Sequence, residues 1–226
     1  MAVAALAGAG VHAGPALCRC SPALRRALGV RDRADNAATV ALTFDDGPHP
    51  EGTPAALEVL RDEGVRATFF LVGEQVERHA SVAAEIAAAG HAIGVHGHRH
   101  RNLVLLTPPQ VRDDLARAEA ALDAICAVAP SLYRPPYGVL TTAALVHARR
   151  RGWTPLLWTR WGRDWRARAT AATIAVDAAR GLAGGEVILL HDADHYSAPG
   201  SWEHTVAALP RIVERVRSAG LTFALG

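Results

Sequence analysis

The chain has 226 residues, half of them apolar, enough for one domain with a full core. A formal net charge of +2 excludes an electrostatic case for nucleic acid or an anionic membrane as the main partner. Three cysteines, Cys18, Cys20 and Cys126, make no disulfide framework, since Cys18 and Cys20 are too close for an ordinary bridge, and all three read as free thiols.

Residues 1–17 are small and apolar but carry no basic n-region and are interrupted by His12 and Pro15. The stretch is shorter than the roughly 18 apolar residues of a membrane span, and Val11-His12-Ala13 is a poor cleavage site. Residues 1–36 are therefore an N-terminal extension, either disordered or surface-packed, or a degenerate signal or anchor. Where the chain works stays open, with an extracytoplasmic or membrane-associated place slightly favoured.

From residue 39 onward, strand and helix patterns alternate. Apolar runs at 40–44, 67–72, 92–96, 132–134, 155–159, 187–191 and 221–224 read as strands. Periodic stretches at 53–63, 75–89, 109–128, 142–151, 169–182 and 203–218 read as helices. Thr107 with Pro108-Pro109 opens one of them, and Gly90 and Gly220 close two others. Such alternation implies a parallel sheet with helices outside, as an open sheet or as a distorted (β/α) barrel of about seven strands. Residues 37–226 make one such domain, with no repeat or internal linker. Reactive groups in such sheets gather at the carboxyl ends of the strands, and Asp45, Asp46, His96, Arg134 and His191 all fall there.

Thr43-Phe44-Asp45-Asp46-Gly47-Pro48 puts two adjacent carboxylates at a strand end, just before a turn. Neighbouring acids repel unless something positive lies beside them. His96 and His100, in Val95-His96-Gly97-His98-Arg99-His100, have the spacing to grip one divalent metal, with Asp46 or Asp45 as third ligand and an open position for water. His98 between them points elsewhere. His191 ends a buried strand and is placed as a general acid, with Asp192, Asp194 and His195 after it in a polar loop that lines the site. Arg134, before a double proline, can orient a carboxylate, and the stiff turn can aim a backbone N–H at an oxyanion. Four tryptophans crowd into 153–165; Trp158 is the core candidate and Trp165, beside Asp164, the candidate for the site wall.

These residues resemble the polysaccharide deacetylase family, also called carbohydrate esterase family 4 or the NodB homology domain, over 38–226. Thr43 to Pro48 is similar to its first motif, His96 to His100 to its second with Gly97 where Ser or Thr is usual, Arg134-Pro135-Pro136-Tyr137 to its third, and Ile188-Leu189-Leu190-His191 to its last. The fourth motif, Asp-x-x-Asp-Trp, is half kept in Trp161-Gly162-Arg163-Asp164-Trp165: the first acid is replaced by Trp161. The resemblance implies a distorted barrel with fewer strands than eight. It implies a hydrolase with Asp45 as general base, His191 as general acid tuned by Asp164, and Arg134 orienting Asp45. Asp46, His96 and His100 would bind one divalent metal, zinc first with cobalt or nickel as alternatives. Tyr137 would lend its backbone N–H to the oxyanion, with Pro136, Trp165 and Leu189 as further oxyanion or substrate contacts. The implied substrates are N-acetylglucosamine-containing glycans such as peptidoglycan or chitin oligomers, a cell-wall and carbohydrate-metabolism role, with acetate released. The competing expectations are an O-acetyl xylan esterase, a non-sugar amidohydrolase and a glycan-binding pseudoenzyme. No protein partner, nucleic acid or strong membrane signal is evident.

Overall fold

A computed structural model describes residues 10–125 and 129–226, and its framework is one parallel sheet. The strands are β1 (Thr39–Asp45), β2 (Thr68–Leu71), β3 (Ala92–Val95), β4 (Leu132–Tyr133), β5 (Thr154–Pro155), β6 (Arg160–Trp161), β7 (Val187–His191) and β8 (Thr222–Ala224). They lie in the order β5-β4-β3-β2-β1-β7-β6, with β8 paired to the first half of β1. Every residue of β1 is buried, as expected of a central parallel strand covered on both faces. Phe44 stacks on Phe69 of β2 at 4.8 Å between ring centroids, within a core that runs through Leu42, Leu71, Val95 and Leu190.

Helices surround the sheet: α1 (Pro22–Leu28), α2 (Gly52–Asp62), α3 (Gly73–Arg78), α4 (Ala80–Ala88), α5 (Pro108–Asp123), α6 (Thr142–Arg150), α7 (Ala171–Ala179) and α8 (Ser201–Ser218). The start of α5 is fixed by a capping box in which the Thr107 N–H donates to Gln110 Oε1 at 2.8 Å. No helix among the described residues is long and apolar enough to cross a membrane.

Three local expectations are corrected. Of the strand expected at 155–159 only Pro155 is in a strand: β5 ends there, β6 begins at Arg160, and the two lie at opposite edges of the sheet. The segment between them does not pair as a strand because other groups take its polar atoms. Arg134 donates from Nε to the Leu156 carbonyl (2.9 Å) and from Nη2 to the Leu157 carbonyl (3.2 Å), and the Leu157 N–H donates to the Arg31 carbonyl (2.7 Å). The helix expected at 75–89 is broken at His79 (φ −132°, ψ 46°), which turns its ring parallel to that of His195. The helix expected at 109–128 is described as far as Asp123, and its last three residues, with Cys126, lie outside the described residues.

The described part of the extension packs on the surface of the barrel. A 3₁₀ turn over Gly14–Arg19 leads into α1, Cys18 and Val30 are buried in the main core, and Arg25 pairs with Asp32 at 2.9 Å. Beyond α1 the chain bridges both edges of the sheet: Arg31 pairs with Leu156 after β5, and Arg33 with Glu186 before β7. This arm and the 156–159 segment fill the gap between the edges. Cys18 and Cys20 are free thiols.

Candidate active site

At the carboxyl end of β1 the backbone delivers Asp45 and Asp46 into one cavity. Asp46 sits at φ 77°, a left-handed conformation that costs of order 1–3 kcal/mol and persists only where the surroundings impose it. His100, at φ 48°, is held the same way. The loop carrying it is braced by the buried Asp114 carboxylate, which accepts from the His98 N–H at 2.9 Å and from Arg101 Nη2 at 2.9 Å. Gly97 lies at φ 78°, where glycine alone is unstrained, and a Cβ there would stand 3.1 Å from Asp114 Oδ2. His98 is buried with Nε2 4.0 Å from Glu77, away from the cavity.

Asp46, His96 and His100 each turn one ligand atom into a group within 4.8 Å of one another. His100 Nε2 lies 3.1 Å and His96 Nε2 3.5 Å from Asp46 Oδ1. The His96 Nδ1–H donates to the Arg134 carbonyl at 2.7 Å, which leaves the Nε2 lone pair for the site. Asp46 Oδ1 is buried with no hydrogen-bond partner among the described residues. An orphaned carboxylate oxygen facing two imidazole nitrogens fits a divalent cation. Burial opposes ionisation of Asp46, but the neighbouring His100, with His96 and His191, outweighs it and holds the carboxyl well below its usual range.

Beside this group lies Asp45, whose Oδ2 is 3.6 Å from His96 Nε2 and whose Oδ1 accepts from Arg134 Nη1 at 2.7 Å. Arg134 is wholly buried; the same Nη1 donates to Thr43 Oγ1 at 2.8 Å, and the guanidinium lies 4.0 Å over the Phe70 ring. His191 also adjoins the group, with Nε2 3.9 Å from Asp46 Oδ2. Its Nδ1 pairs with Asp164 Oδ1 at 3.0 Å and its backbone N–H donates to Asp164 Oδ2 at 2.6 Å, an oxygen that Thr205 also reaches at 2.9 Å. Burial works against the imidazolium, but Asp164, then Asp46 and Asp45, outweighs burial and raises its pKa to about 10.

The cavity, about 320 Å³, is walled by Tyr137, Trp161, Trp165 and Leu189 beside these groups. Trp165 meets His191 edge-on at 5.7 Å. Tyr137 stands at φ 60° and is half exposed. Pro136 is buried behind it, in contact distance of Gly97, and does not line the cavity.

Two readings of the sequence are corrected here. Trp158 is half-buried and lines the cavity, while the buried tryptophan of the cluster is Trp153. The acids after His191 do not line the cavity. Asp192 is buried behind Gly47, where it accepts from Thr53 Oγ1, and burial raises its carboxyl to about 7. Asp194 accepts from the Gly200 N–H at 2.7 Å and lies 3.3 Å from His49 Nε2. His49, Asp194 and His195 form a second group of close donors, but His49 Nδ1 accepts from the N–H groups of Glu51 and Gly52, so its Nε2 carries the proton and faces Asp194 as a donor. The cavity is lined instead by Tyr196 and Ser197 of that loop. Tyr196 stacks on His100 (4.3 Å, 15°) and its hydroxyl donates to Glu74 at 2.8 Å. Sequence reasoning missed Tyr196, for which its place just past a reactive strand end was the available signal, and missed Arg19 of the extension, for which there was none.

The comparisons with known proteins point the same way. Residues 32–156 match the model of a family described as polysaccharide deacetylase. The chain belongs to the polysaccharide deacetylase family. It is 35% identical over 189 residues to a peptidoglycan-N-acetylglucosamine deacetylase of Bacillus cereus, covering 83% of this chain but 66% of that relative, just under two thirds of its length. It is 34% identical over 194 residues to a chitooligosaccharide deacetylase of Azorhizobium caulinodans, covering 82% of this chain and 91% of the relative. Among solved structures, a peptidoglycan N-acetylglucosamine deacetylase superposes with a TM-score of 0.79 at 33% identity, covering 87% and 89% of the two chains. The family 4 carbohydrate esterase of Streptomyces lividans, in complex with acetate, does so at 0.73 and 30%, covering 84% and 92%. The curled barrel of parallel strands is thus the fold of this polysaccharide deacetylase family.

Proposed function

We propose that this polysaccharide deacetylase removes N-acetyl groups from N-acetylglucosamine-containing glycans, peptidoglycan or chitin oligomers, releasing acetate. The observation that carries the reading is the presence of two separately supported proton-handling groups, Asp45 on Arg134 and His191 on Asp164, next to the Asp46–His96–His100 donor group. A divalent ion held by Asp46, His96 and His100, zinc by the preference of two imidazoles and a carboxylate, supplies a Lewis acid and lowers the pKa of water.

Asp45, fixed by Arg134, takes the proton of the attacking water. The Tyr137 backbone N–H donates to the oxyanion that forms on the acetamide carbonyl carbon. An amine leaves as a neutral species only if protonated, and His191, kept as imidazolium by Asp164, delivers that proton from Nε2. Trp165 and Leu189 hold the sugar ring against the cavity wall. An extracytoplasmic working place goes with a cell-wall substrate.

The pseudoenzyme reading finds an echo in a family 4 pseudoenzyme of Bacillus anthracis, 25% identical with a TM-score of 0.76. The intact set of Asp45, Asp46, His96, His100, Arg134 and His191 here favours turnover. The test is acetate release from chitooligosaccharides, peptidoglycan fragments and acetylxylan, after chelation and after adding back zinc or cobalt. Metal-restored release from an N-acetylated glycan is expected. Release from acetylxylan alone makes the chain an esterase, and no release from any of them with metal stoichiometrically bound overturns the enzyme reading.

A further inference from the structure

A row of aromatic rings leads away from the catalytic histidine. Trp165 meets His191 at 5.7 Å, Trp161 meets Trp165 at 6.3 Å, and Trp158 meets Trp161 at 6.2 Å. At the far end stands a guanidinium, Arg19, with Cζ 5.6 Å from the Trp158 centroid. Trp161 occupies the position of the acid missing from the fourth motif, so the row is continuous where a carboxylate would have interrupted it. A second, smaller hollow of about 160 Å³ adjoins the catalytic cavity and shares Arg19, Trp158 and Trp161 with it.

Arg19 comes from the 3₁₀ turn over Gly14–Arg19, ahead of the residues 32–156 that the family model matches. The turn is tied down. Cys18 is wholly buried, Arg25 Nη1 donates to the carbonyls of Cys18 (2.8 Å) and Arg19 (3.2 Å), and Arg25 itself is neutralised by Asp32. Arg19 spends one donor, Nη1, on the Tyr137 carbonyl at 2.5 Å, and no carboxylate pairs with it among the described residues. The guanidinium is thereby anchored at one corner and left with donors beside the aromatic row, the arrangement in which arginine takes a carboxylate by its fork.

We propose that the extension completes the substrate groove, and that Arg19 is a specificity-determining residue that selects glycans bearing a carboxylate on the sugar next to the one deacetylated. Trp161 and Trp158 are the platform of that neighbouring sugar. The inference rests on the glycan deacetylase reading and adds the charge of the substrate to it. The carboxylate is either a lactyl ether on O3 or an oxidised C6, and the two are separable by experiment.

The experiment compares β-1,4-linked N-acetylglucosamine oligomers whose neighbouring sugar carries a lactyl ether, the same oligomers as methyl esters, oligomers oxidised at C6, and neutral chitooligosaccharides. Kinetics of acetate release are read for the zinc-loaded full chain, Arg19→Ala and Arg19→Lys, with calorimetric binding of acid and ester in parallel and thermal midpoints as a check of folding. Acid over ester is expected by roughly five- to thirtyfold in kcat/KM, carried by KM and by Kd. The preference disappears in Arg19→Ala and partly returns in Arg19→Lys, and the acidic arm that shows it names the source. A common fall in kcat on all substrates in Arg19→Ala, with the acid-to-ester ratio unchanged, reduces Arg19 to a prop for Tyr137 and overturns the proposal, as does equal binding of acid and ester by the full chain. Failure of the parent reading looks different: none of the oligomers, acidic, esterified or neutral, then releases acetate, while the binding ratio still decides the role of Arg19.

Discussion

His191 and Asp46 face each other at 3.9 Å, yet their chemistry separates cleanly because Asp164 claims the far nitrogen of the ring. Replacing His191 by Ala should leave bound metal at full stoichiometry, measured by plasma emission, and cut turnover by about 10²–10⁴, the weight of a general acid. Loss of metal in that variant makes His191 a ligand. Asp164→Asn keeps the shape but removes the charge that holds His191 near pKa 10. The alkaline limb of the kcat profile should then move to lower pH. The same pair contributes to stability in the metal-free protein: a raised pKa means a contribution complete below about pH 6.5 and lost as pH rises through about 10. Urea midpoints of chelated protein at pH 6 and pH 9 should differ in the native chain, and Asp164→Asn should shrink the difference. His191 and Asp46 were legible in the sequence because each sits at a strand end, and Asp164 because it keeps half of a family motif. Trp158 was not, because an indole after an apolar pair reads the same whether it turns inward or lines a cavity. Nor was Arg19, which reaches the site by a hydrogen bond across 118 positions of chain.

At the level of elements, Arg134 is both a catalytic support and a structural tie. Its guanidinium serves Asp45, Thr43 and the carbonyls of Leu156 and Leu157 from wholly buried ground. Lysine carries the charge without the fork, so Arg134→Lys leaves carbonyls of the 156–157 turn unsatisfied. It should cost about 1–3 kcal/mol, seen as a lower thermal midpoint, together with a loss of turnover larger than the loss of stability explains. Local patterning found β1 and β7 closely because their apolar runs are buried throughout. It placed a strand in the segment between β5 and β6 because Pro155 to Thr159 has strand composition, and nothing local says that an arginine 22 positions earlier takes its carbonyls.

For the molecule as a whole, closure of the barrel depends on the arm at 30–37 lying in the seam between the sheet edges. Gly184 marks how tightly it lies: a Cβ there would fall 1.5 Å from the Ala37 carbonyl oxygen. Gly184→Ala must push the arm outward, and a loss of about 1–3 kcal/mol in urea unfolding is expected, with the Arg31 and Arg33 bridges the first to open. An unchanged midpoint would mean that the seam yields freely. The order of the sheet also has a consequence in time. β1 carries both aspartates, but one of its flanks is β7, some 145 positions later, and the foot of its other flank is β8 at the very end of the chain. A ribosome that has emitted residues 39–180 has produced all three candidate metal ligands, Asp46, His96 and His100, and no complete bed for them. Such long-range pairing makes for slow folding, with the nascent chain exposing apolar edges of β1 until β7 and β8 appear. The candidate centre therefore assembles only after β7 and β8 have followed the residues it draws from β1 and β3.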